Sequence, residues 1–260
     1  MTVDVGFFTD SSICIGCKAC EVACKEWNGV PVDDIRFLNS SYDNTGELSA
    51  NSWRHVAFIE QKRNDRFTWL MNSDVCKHCK EAACLDVCPT GAIFRSEFGS
   101  VVVQEDVCNG CGYCIPACPF GVLTRREGVA AKPETNGIAQ KCTLCYDRLK
   151  GGLEPACASA CPTRSIQFGP LPELRERARV RLETLHAEGR PEARLYLAGE
   201  TDNGVGGAGA FFLLLDEPAS YRLPDRPLVP TRRLREMWGF AAAAAGLLAV
   251  AVGVAVGGRR

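Results

Sequence analysis

The 260-residue chain is poor in the groups that carry substrate chemistry. Its three histidines, His55, His78 and His186, are scattered. No carboxylate pair or nucleophile–base arrangement stands out, so acid–base and covalent catalysis have no candidate residues. Neither sign of charge is in surplus. The chain has 30 basic and 31 acidic side chains and a formal net charge of −1, so no basic field points to nucleic acid. The glycine-rich stretch Asp202–Gly207 lacks the strand-before, helix-after context of a phosphate loop. The N-terminal MTVDVGFFTDSS has neither a basic segment nor an apolar run, and is not expected to be a signal peptide. Cysteine is absent from every stretch but four.

In those four stretches it is abundant. The bursts are Cys14, Cys17, Cys20, Cys24; Cys76, Cys79, Cys84, Cys88; Cys108, Cys111, Cys114, Cys118; and Cys142, Cys145, Cys157, Cys161. A [4Fe–4S] cluster needs four thiolates, and 16 cysteines supply four such sets. The third burst, CNGCGYCIPACP, has the bacterial ferredoxin spacing. The second stretches one gap slightly and the fourth stretches one much further; the first has Lys25 where proline would follow. Three closely spaced cysteines can converge on one cube. The fourth, a helical turn later, points away and serves the other cluster of a pair. Small residues between them, Gly16, Ala19, Gly110 and Gly112, are expected to let backbone N–H groups approach the sulfurs. Neighbouring basic residues, Lys18, Lys25, Lys77, Lys80 and Lys141, would favour reduced clusters or serve as ordinary surface charges. Disulfides suit such crowded runs poorly. Zinc fits the fourth burst taken alone and fits the other three badly. Cluster insertion requires reduced thiols, which implies assembly in the cytosol.

Around the bursts, Trp53–Gln61 and Arg66–Met71 read as a hairpin turning at Lys62–Asp65, preceded by a polar loop with a short strand near Ile35–Leu38. Ala92–Phe94 and Val101–Val103 read as a second hairpin. Ser165–Phe168 echoes Gly91–Phe94, and each follows a Cys-Pro-Thr turn, so the chain repeats internally. Pro172–Glu188 has helical spacing of leucines with a charged outer face, and Gly189 ends it. Arg194–Ala198 and Ala210–Leu215 read as strands, and Leu223 to Pro230 as an extended linker.

The tail is the one long apolar run. Trp238–Val256 carries no charged or polar side chain over 19 residues. As a helix it spans about 28 Å, close to the roughly 30 Å hydrocarbon core. Its larger apolar side chains favour insertion by about 2–4 kcal/mol. Ala242, Gly246, Ala249, Gly253 and Gly257 fall on one face, where a second helix could approach closely. Arg232, Arg233 and Arg235 before the span nearly balance Arg259 and Arg260 after it, so the charges do not orient it.

Several motifs carry a resemblance. Cys14-Ile15-Gly16-Cys17-Lys18-Ala19-Cys20 runs on to Lys25-Glu26-Trp27-Asn28. Others are Cys76-Lys77-His78-Cys79, Cys142-Thr143-Leu144-Cys145-Tyr146-Asp147-Arg148, the Leu195–Gly207 loop and Leu213–Pro218. Over nearly its whole length the chain resembles the iron–sulfur (β) subunit of membrane-bound formate dehydrogenase, among the electron-transfer subunits of molybdopterin oxidoreductases. It departs from that pattern over Ala198–Asn203 and Ala208–Ala210.

The resemblance implies an α+β fold of two pseudo-symmetric ferredoxin-like modules with four [4Fe–4S] clusters and one C-terminal transmembrane helix. The first module is split between residues 1–24 and 124–170, and the second is 74–123. An inserted β region spans 25–73, a helix with strands 171–222, a linker 223–236 and the membrane helix 237–258. It also implies nested ligand sets. The first is Cys14, Cys17, Cys20 and Cys161; the second is Cys24, Cys142, Cys145 and Cys157. The third is Cys76, Cys79, Cys84 and Cys118; the fourth is Cys88, Cys108, Cys111 and Cys114. The first cluster would face a molybdenum or tungsten catalytic α subunit oxidising formate. The fourth would face a membrane cytochrome b γ subunit that passes electrons to quinone. The expected place is the outer face of the cytoplasmic membrane, reached by crossing folded with the α partner. The corresponding subunit of a membrane hydrogenase or another molybdoenzyme, and a stand-alone anchored polyferredoxin, are the alternatives. An enzyme binding substrate at an incompletely ligated cluster does not fit sixteen cysteines.

Overall fold

A computed structural model describes residues 4–32, 37, 39, 41–63, 66–128, 133–199 and 203–257. The strand expected near Ile35–Leu38 lies outside the described residues except for Phe37, and the turn residues Asn64 and Asp65 lie outside them.

The polypeptide opens on β1 (Val5–Asp10), whose Phe7 and Phe8 are fully buried. The first burst follows and leads into α1 (Ala19–Asn28), closed by Gly29 in the left-handed region. β2 (Arg54–Arg63) and β3 (Arg66–Val75) form the expected hairpin, in register from Arg54↔Val75 to Arg63↔Arg66. α2 (Ala83–Asp86) lies within the second burst. β4 (Ile93–Arg95) and β5 (Val101–Val103) make the second hairpin. α3 (Cys114–Ala117) closes the third burst, and β6 (Thr124–Arg125) pairs with β7 (Ala139–Gln140). α4 (Tyr146–Lys150) and α5 (Ala156–Ser159) lie within the fourth burst. β8 (Ile166–Pro170) follows it and runs directly into α6 (Leu171–Ala187). β9 (Arg194–Tyr196), β10 (Ala210–Leu214) and α7 (Leu234–Gly257) complete the fold.

The main sheet has the order β8-β1-β10-β9. Strand β1 is its organising member, parallel to β10 and antiparallel to β8. The sequence alone suggests no strand at residues 5–10. Six residues with only two aromatics are too short a pattern to declare themselves; burial between two later strands decides the matter. The apolar face of α6 covers this sheet through Leu171, Leu174, Ala178 and Leu185, while Arg179 pairs with Glu176 and Glu183 on the solvent face. A second body of core surrounds the cysteines and includes Val56, Val75, Ile93, Val101 and Leu144.

The repeat seen in sequence has a structural counterpart. β4 follows the second burst and pairs antiparallel with β5, which precedes the third. β8 follows the fourth burst and pairs antiparallel with β1, which precedes the first. The glycine-rich loop serves this arrangement. Its Gly207 and Val205 carbonyls accept from the Lys80 and Glu81 amides at 2.9 and 2.8 Å, clamping the second burst. A Cβ on Gly206, whose φ is +68°, would meet the Glu81 side chain at 2.6 Å.

Helix α7 has one segment long and apolar enough to cross a membrane, Glu236–Val256, with mean hydropathy 2.2 and none of it buried. It fits single-pass anchoring. The turn before it, Pro230–Arg233, rests on α2. There Thr231 donates to Asp86 at 2.5 Å, and Arg232 lies 3.2 Å from Glu81.

Candidate metal centres

Each burst repeats one local design. The residue two places after its first cysteine, Gly16, His78, Gly110 or Leu144, has a positive φ of 65°, 45°, 72° or 63° respectively. That conformation turns an amide back toward the sulfur. The His78 amide donates to Cys76 Sγ at 3.5 Å, and the Leu144 amide to Cys142 Sγ at 3.3 Å. The Gly16 amide bonds the Cys14 sulfur in the same way. Only two of the four positions are glycine. The sequence suggests small residues for this task, yet histidine and leucine hold the left-handed conformation, at a cost of about 1–3 kcal/mol each. Buried surroundings hold them there: His78 is 2 % and Leu144 1 % exposed.

The third cysteine of each burst then opens a short helix, as the first residue of α3 (Cys114) or the second of α1, α2 and α5 (Cys20, Cys84, Cys157). The fourth follows four residues later and has thiols of another burst as its neighbours, as Cys24 has Cys142, Cys157 and Cys145. Cys88 and Cys161 each meet a threonine hydroxyl two residues on, Thr90 at 3.7 Å and Thr163 at 3.8 Å, which repeats the Cys-Pro-Thr echo in space.

The tertiary structure gathers the sixteen thiols into four neighbourhoods. Cys14 has Cys20, Cys161 and Cys17 as its neighbouring thiols. These four line one cavity. Cys24 has Cys142, Cys157 and Cys145. Cys79 has Cys76, Cys118 and Cys84, and these four line one cavity. Cys114 has Cys108, Cys111 and Cys88. Four thiols in each neighbourhood are the number that a [4Fe–4S] cluster takes. No disulfide joins any of the sixteen cysteines.

Burial, assisted by the neighbouring sulfurs, raises the thiol pKa values. Cys114 is pushed up to about 11, Cys84 and Cys157 to about 12, and Cys24, Cys79 and Cys142 are also raised. Protons hold these groups neutral until a cationic core replaces them, so metal loading releases protons. The Asn28 amide nitrogen lies 3.7 Å from Cys24 Sγ and 3.8 Å from Cys145 Sγ, where it can donate to both.

Three buried cations face the thiols. Lys77, fully buried, pairs with Asp74, stacks over Phe120 and Phe212 at 5.2 and 5.1 Å, and lies near Cys79 and Cys118. Lys141 donates to the Val101 and Cys142 carbonyls and lies near Cys84. Arg54, 1 % exposed, is the third, and no cysteine motif contains it. A charge inside the apolar run WRHVAFI was the available signal. By contrast Lys18 serves Asp43 and Thr45, and Lys25 the Pro31 and Asn51 carbonyls. His55 bonds Asp43 at 2.8 Å, and His186 reaches the Ala193 carbonyl. His78 accepts from the Val101 amide at 3.1 Å. Burial, then the charges of Lys141 and Arg95, hold its ring well below the usual histidine range.

A 4Fe-4S dicluster domain matches residues 67–171, and a second 4Fe-4S dicluster domain matches residues 13–92. The formate dehydrogenase, nitrate-inducible, iron–sulfur subunit of Escherichia coli is 41 % identical over 88 % of this chain and 75 % of its own length. The formate dehydrogenase iron–sulfur subunit of Haemophilus influenzae is 41 % identical over 87 % of this chain and 70 % of its own. This protein belongs to the family of formate dehydrogenase iron–sulfur subunits. The B polypeptide of the anaerobic dimethyl sulfoxide reductase of Escherichia coli, 39 % identical over 68 % of the chain and 78 % of its own length, is a more distant relative. Iron–sulfur subunits of this family transfer electrons. Two dicluster domains and sixteen cysteines make the cofactor complement four [4Fe–4S] clusters.

Two features of the thiol groups bear on that role. The groups adjoin in succession: Cys157 lies near Cys20, Cys142 near Cys76, and Cys84 near Cys114. Exposed thiols occur only in the terminal groups, Cys17 in one and Cys111 in the other.

Proposed function

We propose that this chain carries electrons from a molybdenum- or tungsten-containing catalytic subunit that oxidises formate to a membrane cytochrome b subunit and quinone. In this reading the four thiol neighbourhoods are the ligand sets. Cys14, Cys17, Cys20 and Cys161 hold the first cluster; Cys24, Cys142, Cys145 and Cys157 hold the second. Cys76, Cys79, Cys84 and Cys118 hold the third; Cys88, Cys108, Cys111 and Cys114 hold the fourth. Bound clusters supply one-electron carriers. The residues of the chain set those carriers in succession, bury all four thiols of the second set and aim amides at the sulfurs.

The observation that carries the proposal is the linear order of thiol groups with an exposed sulfur at each end. Helix α7 adds direction. Its preceding turn rests on α2, which carries Cys84 and leads to Cys88, so the anchor leaves the protein beside the third and fourth sets. The first set, at the opposite end, is left for the catalytic subunit. The division into a split first module (1–24 with 124–170) and a contiguous second one (74–123) belongs to the same proposal. So does placement on the outer face of the cytoplasmic membrane, which protease digestion of intact spheroplasts tests.

The likeness to a dimethyl sulfoxide reductase polypeptide favours one second reading, in which the same row delivers electrons to a terminal reductase. Purification of the native complex in mild detergent decides between them. Sixteen irons per chain beyond those of its partner, bound molybdenum or tungsten, and [4Fe–4S] resonances that appear on adding formate support the first. Resonances that respond to quinol alone support the second. Stoichiometric zinc without a visible chromophore overturns both.

A further inference from the structure

Arg54 is the first residue of β2 and sits where the hairpin meets the first and second thiol groups. It is 1 % exposed. Its Nη1 donates to the Ser73 carbonyl at 3.2 Å and to Ser73 Oγ at 3.0 Å. The same Ser73 Oγ lies 3.3 Å from Cys20 Sγ. The guanidinium carbon stacks over the Phe7 ring at 4.7 Å. The other two nitrogens, Nε and Nη2, are buried and have no hydrogen-bond partner. No carboxylate pairs with Arg54 among the described residues. The ionisable groups beside it are Cys157, Cys20, Cys142 and Cys24, three thiols of the second group and one of the first.

A buried guanidinium without a carboxylate is costly unless an anion stands beside it. Two unused donors make that requirement directional, because the fork geometry fixes where acceptors must lie. The surrounding groups that can provide negative charge are the two sets of thiolates with their clusters. A fixed positive charge and N–H donors near a cluster favour its reduced, more negative form, so both raise its potential.

We infer that Arg54 sets the potentials of the first and second clusters together, its charge standing between them and its free N–H groups donating to their sulfurs. Lys77 lies beside the third set and Lys141 between the second and third, whereas Arg54 faces thiols of the first and second, so its effect is expected to be largest in those two clusters. This rests on the ligand sets proposed above.

The test is a redox titration of the native complex carrying Arg54→Gln or Arg54→Lys, followed by electron paramagnetic resonance. Resonances are assigned to the row's ends by Cys17→Ser and Cys111→Ser. In Arg54→Gln the first and second clusters are expected to become about tenfold harder to reduce, which is about 59 mV for a one-electron couple. The third and fourth stay unchanged. Arg54→Lys keeps the charge, loses the fork and should give a smaller fall in the same two clusters. Four unchanged potentials in Arg54→Gln, or an equal fall in all four, overturn the inference and leave the ligand sets standing. If Arg54→Gln loads no iron, unchanged potentials in Arg54→Lys overturn it. A wild-type complex without four cluster resonances overturns the ligand sets themselves, which keeps the two failures apart.

Discussion

The two strand pairs that join cysteine bursts differ in how they close. In residues 74–123 the pair is local: β4 and β5 meet across a tight turn in which the Ser96 and Ser100 hydroxyls lie 2.8 Å apart, four residues from each other in sequence. In the other pair β1 meets β8, and the Ser165 hydroxyl donates to the Asp10 carbonyl at 2.7 Å across 155 residues. The pairing is equivalent and the entropy of closure is not. Lengthening a closure from 4 to 155 residues is about five doublings and costs about 3 kcal/mol.

The split pair is correspondingly reinforced. β10 and β9 widen it to four strands, Phe8 stacks on Phe211 at 5.4 Å, and α6 seals the outside. Burying Phe7 and Phe8 contributes about 1.5–3 kcal/mol each, enough to offset the longer closure. The local pair is two strands of three residues that pack into the core around the cysteines and gain no third strand. A local hairpin closes at little entropic cost; a distant pairing is held by a wider sheet.

The largest test of this contrast removes that core. Phe8→Ala should cost about 3–5 kcal/mol and loosen β1 from its sheet. Iron content should then fall toward two clusters per chain, with the resonances of the first and second sets lost first. Ile93→Val in the local hairpin should cost about 0.5–1.5 kcal/mol and leave all four. Iron analysis of the two purified variants checks both outcomes; equal loss would erase the distinction.

Backbone crowding gives a second, smaller contrast. A Cβ on Gly6 would stand 2.0 Å from the Gly209 carbonyl oxygen, where β1 runs beside β10. Gly6→Ala should therefore cost about 1–3 kcal/mol through forced separation of strands. Gly91, after the second burst, has φ +69° with open space around it. Gly91→Ala should cost only the left-handed strain of about 1–2 kcal/mol. Thermal melts of the loaded protein should rank Gly6→Ala below Gly91→Ala.

A third effect depends on pH and concerns the inserted hairpin region. Burial opposes ionisation of Asp43, but the His55 hydrogen bond, the Gly46 amide and the Lys18 charge outweigh it and lower its pKa to about 2. A depressed carboxyl stabilises the fold above its unfolded pKa of about 3.9, and that contribution disappears as pH falls toward about 2. Protease cleavage within residues 25–73 should accelerate over that window. Asp43→Asn should cleave quickly at neutral pH and lose the acid dependence.

The smallest expected effect is on the outer face of α6. Arg179 bridges Glu176 and Glu183 in full contact with water. Surface pairs of this kind contribute little. Arg179→Ala should leave the melting temperature and the iron content unchanged, against the collapse expected of Phe8→Ala beneath the same helix.

The legible parts of this protein are those with local signatures. Cysteine spacing, the two hairpins, the amphipathic α6 and the apolar tail each carry their pattern within a few turns of chain. Strand β1 is not legible, because VGFFTD is a short run that takes its meaning from partners more than 150 residues away. The left-handed conformations at His78 and Leu144 are equally hidden, since neither residue type advertises a positive φ. Arg54 is visible only as a charge in an apolar run, and its cysteine neighbours lie in two bursts more than 100 residues apart, Cys20 and Cys24 in the first and Cys142 and Cys157 in the fourth.

By itself the order of residues determined that this is an iron–sulfur electron carrier with one apolar helix, because ligand number, ligand spacing and run length are one-dimensional quantities. Which thiols face one another, which two groups reach solvent and where the tail leaves the molecule were decided only in three dimensions. The fourth cysteine of each burst turns away from its own loop. Long-range strand pairing, at a cost in conformational entropy, brings the loop that receives it within reach.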